Sequence, residues 1–190
     1  MTTDQLRQVP ITIPTLTLHQ PLASLIEWHV KNVETRSWEP NPSYIGQTIA
    51  IHAGKTIAKY AHHSTECAAI DLYGPNWKVD IPTGSVLAVA TLKAAVQVEE
   101  YLPGFGDRPG NAWYRDPDDD LGRLKMIEAD HHGDYTAGRW LWLLDDVQSV
   151  HPRPQVRGKL GVWKWEPPED VVFYTTGGNL QSQHSVGVRH

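Results

Sequence analysis

The stretch that decides the reading runs from Leu16 to Trp38, LTLHQPLASLIEWHVKNVETRSW. Its first four residues, LTLH, alternate apolar and polar as a short strand does. Gln20-Pro21 follows, and proline is favoured at the first position of a helix, where its missing N–H costs nothing. Leu22, Leu25, Ile26 and Val30 then repeat at helical spacing, which predicts an amphipathic helix ending near Lys31-Asn32. Val33–Arg36 reads as extended, so Glu34 and Arg36 share one face.

Working outward, Thr48–Ala53 (TIAIHA) is a strand, with Ile49, Ile51 and Ala53 on one face and His52 on the other. Residues 55–73 read as a second helix, closed by Gly74-Pro75. Gly84–Val98 is rich in strand formers. Residues 103–134 are dense in Gly, Pro and Asp and read as a loop. Trp140–Val147 and Gly161–Trp165 are the last strands predicted. Several short strands with two helices in the N-terminal half give an α+β fold class, a small β-barrel flanked by helices around a cleft. The domain is placed at 15–167, with a loop insertion at 103–130, an N-terminal arm at 1–14 and a C-terminal tail at 168–190.

The chain has 190 residues, room for one domain with a sizeable core. Its single cysteine, Cys67, excludes an intrachain disulfide and any cysteine-rich zinc site. Apolar neighbours make Cys67 read as a buried structural thiol. No apolar run is long enough for a membrane-spanning helix and no signal pattern opens the chain, so no membrane association and a cytoplasmic setting are expected. Net charge is −5, which argues against strong non-specific binding of nucleic acid. The charge is uneven. Residues 99–134 hold ten acids and four bases, net −6, which leaves the rest of the chain at +1. His151–Trp165 carries Arg153, Arg157, Lys159 and Lys164 and no acid, a local basic face.

The candidate site gathers around the first motif. Gln20 and Pro21 bring a helix start to a strand end; Gln20 either caps that helix or leaves its N–H groups for an anion or a carbonyl oxygen. Lys31, Glu34 and Arg36 form either a polar pocket or a surface ion-pair cluster. His52 either meets a ligand, with Lys55 close behind, or is a satisfied half-buried histidine. His62-His63 with Glu66, and His131-His132, do not complete a metal motif, so no metal and no cofactor are expected. No phosphate-cradling glycine loop and no G-x-S-x-G elbow is present.

Together, LTLHQPLASLIEWHVKNVETRSW, IGQTIAIHAGK, HHGDYTAGRWLWLLDDV and VRGKLGVWKWE resemble the ASCH family, in order and spacing, over most of residues 16–166. The resemblance implies a PUA-like barrel whose cleft lies between the first helix and the barrel and accepts RNA, a nucleotide or a modified nucleoside. Some small members of that family are amidohydrolases that deacetylate N4-acetylcytidine with a Lys, a Thr and a Glu. The family's lysine falls on Lys31. The threonine falls on Glu34, a departure; Thr35, next to it, points to the opposite face of a strand. The family's glutamate has no assigned counterpart, Glu128 and Asp134 being the candidates. Binding is therefore the leading expectation. Trp38 or Trp163 would stack a base, Arg36 and Arg139 would hold phosphate, and Gln20 would read an edge. The alternatives are a modified-nucleoside hydrolase using Lys31 or Glu34, a ribonuclease using Lys31, Arg36 and His52, and a protein adaptor using the acidic 103–134 segment.

Overall fold

The computed structural model describes residues 11–58, 62–105 and 108–175. Its architecture is mixed α+β and mostly strand: a curled, half-barrel sheet carrying three helices. In chain order the elements are β1 (Ile13–Gln20), α1 (Leu22–Glu27), β2 (Val33–Arg36), β3 (Thr48–Ile57), α2 (His63–Tyr73), α3 (Trp77–Asp80), β4 (Ser85–Leu102), β5 (Gly110–Arg115), β6 (Leu124–Ala129), β7 (Trp140–His151), β8 (Val162–Trp165) and β9 (Val172–Thr175). The main path across the sheet is β2-β7-β4-β3-β1-β8. β1 and β3 run parallel, with Thr17 opposite His52; the other described pairings are antiparallel.

β3 sits in mid-sheet with both faces covered, so Ile49 to Ala53 are buried without a break. One core lies between α1 and the sheet and contains Leu16, Leu18, Ile26, Ile51, Leu92 and Trp142. A second, with Ala50, Val86, Trp163 and Trp165, packs the other side of β3. A third joins Val33 and Val96 to Ala112, Tyr114 and Tyr135. This third core fixes the β5–β6 hairpin to the end of β4.

Several sequence expectations are corrected. The first helix stops at Glu27, because the chain turns through a left-handed residue at His29 (φ 58°) and Val30 is left 42% exposed. Lys31 thus follows a turn rather than ending a helix. The second helix begins at His63; residues 55–57 continue β3 instead. Residues 59–61 of that expected helix lie outside the described residues. Cys67 is exposed, because it lies on the outer face of α2 where Thr65 and Ala69 are the buried positions.

The segment 103–134 is not a loop. Two of its stretches are strands, β5 and β6, and Ala112 and Tyr114, alternate residues of β5, are buried in the third core with Ala129 of β6. Their outer face mixes Trp113, Leu124 and Met126 with Asn111, Arg115 and Glu128, so neither strand alternates cleanly in the sequence. At the start, Ile13 and Pro14 belong to β1 rather than to an arm, and residues 1–10 of that arm are outside the described set. Beyond Pro167, Val172–Thr175 pairs with β7 as an exposed edge strand. The rest of the expected tail, 176–190, lies outside the described residues.

Candidate functional site

A cleft of about 1240 Å³ opens where β1, β2 and β3 meet the segment from Gln155 to Gly161. Glu34, Arg36 and Trp38 enter it from β2 and the residues after it. His52, Lys55 and Thr56 come from β3, and Thr17 and His19 from β1. Arg157, Gly158, Lys159 and Leu160 form the facing rim. Leu160 is 99% exposed there.

The floor of the cleft is built by short-range geometry on β2. Glu34 and Arg36 are two apart on one strand, opposite Trp142 and Trp140 of β7. Glu34 Oε1 lies 3.2 Å from Arg36 Nε, as an ion pair rather than an aligned hydrogen bond. The other end of the guanidinium donates from Nη2 to the Thr17 carbonyl of β1 at 3.3 Å. Arg36 thereby ties β2 to β1 across the mouth of the half-barrel. Trp38 is half-buried and held edge-on to Trp142, with ring centroids 4.9 Å apart.

His52 is 1% exposed. Its Nε2 is 2.9 Å from the Val156 carbonyl, which only accepts, so Nε2 carries the proton. Its ring meets Trp163 edge-on at 5.7 Å. Burial pushes the His52 imidazole below its ordinary pKa, against the raising effect of the Val156 and Gly84 carbonyls. His52 is therefore neutral at pH 7.

Behind Glu34 lies a second group of polar side chains, largely withdrawn from solvent. Lys31 has a fully buried side chain; its ammonium donates to the Val33 carbonyl. It lies 3.9 Å from Glu34 Oε2 and 3.7 Å from Asp130 Oδ2. Asp130, just after β6, also accepts from the His132 backbone N–H at 2.8 Å. His132 Nδ1 meets Thr65 Oγ1 of α2 at 2.9 Å. Burial is the main cause that lowers the His132 pKa, opposed by the Asp130 charge and assisted by Lys31. Glu34 is the shared wall: one carboxylate oxygen faces the cleft-side arginine, the other the enclosed lysine.

The sequence-proposed site residues therefore divide. Glu34, Arg36, Trp38, His52 and Lys55 share the cleft. Lys31 adjoins it through Glu34 but lines none of it. Gln20 is fully buried and acts as a cap, accepting from the Ser24 N–H at 3.2 Å while donating to Ser24 Oγ and the Pro82 carbonyl. Pro21 is buried beside it. Arg139 is paired with Asp134 at 3.2 Å and Trp163 donates its indole N–H to Thr17 Oγ1 at 3.0 Å; neither lines the cleft. Of the other candidates, Glu128 lies on β6, and Asp134 also accepts from Thr136.

The residues missed are Arg157, Gly158 and Lys159, together with His19. The basic run in His151–Trp165 is the signal for the first three; His19 has none beyond its place at the end of β1. The other members of the run divide too: Arg153 donates to the buried Glu27 at 2.7 Å. Burial raises the Glu27 pKa, and the Arg153 charge opposes that shift.

No protein-family model matches the chain, and no curated protein matches it. Among the described residues no helix is long and apolar enough to cross a membrane, and no group of three or more His, Cys, Asp or Glu is placed to hold a metal ion.

Proposed function

We propose that this chain is an ASCH-like, PUA-like barrel protein that binds RNA or a nucleotide in the cleft floored by Glu34 and Arg36. The observation that carries the reading is the cleft's charge. On a chain of net charge −5, its lining brings Arg36, Lys55, Arg157 and Lys159 together around one acid, Glu34. Cations on the rim suit phosphate oxygens, and arginine suits them bidentately. Trp38 offers an aromatic surface to a base, and splayed, unstacked bases are what proteins read in single-stranded RNA. Binding of a fluorescein-labelled oligoribonucleotide, followed by anisotropy as salt is raised, tests it. Affinity should fall with salt, and Arg157→Ala with Lys159→Ala should weaken it; binding that ignores both changes would refute the reading.

A second reading, hydrolysis of a modified nucleoside, is favoured by one feature: Glu34 is a nearly buried carboxylate held between two cations at the cleft floor. Lys31 would then hold Glu34 in place rather than touch substrate, since its ammonium is enclosed. Glu34→Gln separates the two readings. If Glu34 is a general base, the substitution lowers turnover by roughly 10²–10⁴-fold with affinity kept. If Glu34 only binds, it changes affinity by about 1–2 kcal/mol.

A further inference from the structure

We propose that His52 reads the bound base, accepting a hydrogen bond at Nδ1 from the exocyclic amino group of an adenine or a cytosine. This rests on the cleft being a nucleotide site. The Val156 carbonyl 2.9 Å away obliges Nε2 to be the donor, so the neutral ring has its lone pair on Nδ1. Nδ1 is buried and has no hydrogen-bond partner among the described residues, although its ring lines the cleft. Buried polar atoms are normally paired, and one left unpaired in a cleft is an acceptor awaiting a donor.

The geometry around it selects the donor. Gly158 is the residue packed against the ring: a Cβ there would stand 2.6 Å from His52 Cε1 and 2.8 Å from Nδ1. Only glycine approaches so closely. Gly158 covers Nδ1, so a ligand group reaches it only if the Arg157–Gly161 segment moves outward. The same segment carries Arg157 and Lys159, which places two cations beside that entry. A projecting amino group suits a recessed acceptor. The ring N–H of uracil does not, because it is flanked by two carbonyl oxygens whose lone pairs would oppose the surrounding acceptors.

The test uses two ligand pairs on the full chain by calorimetry: AMP against purine riboside 5′-monophosphate, and CMP against the monophosphate of 2-pyrimidinone riboside. Within each pair only the amino group differs. In the unaltered protein the amino member of at least one pair should bind roughly three- to tenfold more tightly. That preference should vanish in His52→Phe. If the variant does not fold, the comparison on the unaltered protein decides alone. Binding of both members of each pair with equal affinity overturns the role of His52 and leaves the nucleotide reading standing. Failure of all four to bind at millimolar concentration overturns both.

Discussion

The β5–β6 hairpin and the cleft meet at one buried junction and differ in almost everything else. The segment containing the hairpin is net −6 over residues 99–134, and its described ion pairs are mostly exposed, such as Arg115 with Glu99 and Lys125 with Asp116. The cleft gathers cations around a single acid. Between them stand Lys31, Glu34 and Asp130, the last supplied by the residue just after β6. Whole-chain charge therefore says little about the charge of any one surface. The acidic region also acts inward, since one of its carboxylates faces the lysine behind the cleft floor.

The largest effect should come from breaking that junction. Lys31→Met keeps the stem and removes the charge, leaving Glu34 and Asp130 as largely buried carboxylates with no ammonium between them. A destabilisation of about 3–5 kcal/mol is expected in urea unfolding. The matching change on the exposed side of the comparison, Arg115→Met, should cost no more than about 1 kcal/mol. Similar costs for the two would erase the distinction drawn between them.

Next in size is Gly158→Ala. The added methyl meets the His52 ring at 2.6 Å, so the rim or the ring must shift. A destabilisation of about 1–3 kcal/mol follows for such overpacking, read as a lower midpoint in thermal unfolding. Gly138, with φ +87° and nothing near its missing Cβ, is the control on the hairpin side. There the cost arises from backbone strain alone.

Acid should sharpen the comparison further. His52 and His132 are both held below the ordinary histidine value of 6.5 when folded, chiefly by burial. The unfolded chain then binds the extra protons first. The stability they contribute is complete above pH 6.5 and is lost as pH falls from there through their folded values. His52→Phe should flatten the dependence of the unfolding midpoint between pH 7 and 5, in part, with His132 supplying the remainder. An unchanged profile would mean that His52 is not protonated on unfolding.

Much of this was legible in the sequence, for identifiable reasons. TIAIHA reads as a strand because β-branched residues crowd it, and it proves to be the buried middle of the sheet. Gln20-Pro21 marks the start of α1 to within one residue, Pro21 being its N-cap and not its first helical position, but the end was obscured by Val30, which fits the apolar stripe while lying past a left-handed turn that local pattern does not reveal. The hairpin was hidden because one face of each strand meets water and its turn is packed with aspartates. β9 was hidden because an exposed edge strand has no buried face to imprint a period. In the site, Glu34 and Arg36 were visible through their spacing on one strand, and Trp38 as an aromatic just beyond it. Arg157 and Lys159 were visible only as charge, since their approach to β1 and β3 depends on pairing between residues more than 100 positions apart. Lys31 shows the limit of reading polarity as exposure: an ammonium with a backbone carbonyl and two carboxylates around it is stable in the interior.

On the proposed function, the cationic rim of the cleft holds the phosphates of a nucleic acid or nucleotide. The most direct measurement is the salt dependence of oligoribonucleotide affinity for the unaltered protein and for the Arg157→Ala, Lys159→Ala double variant. Each phosphate contact to a single strand contributes about −0.7 to the slope of log K against log salt, so the double variant should bind more weakly with a slope shallower by about 1.4. An identical slope and affinity in the two proteins, with both shown to be folded, would contradict the account.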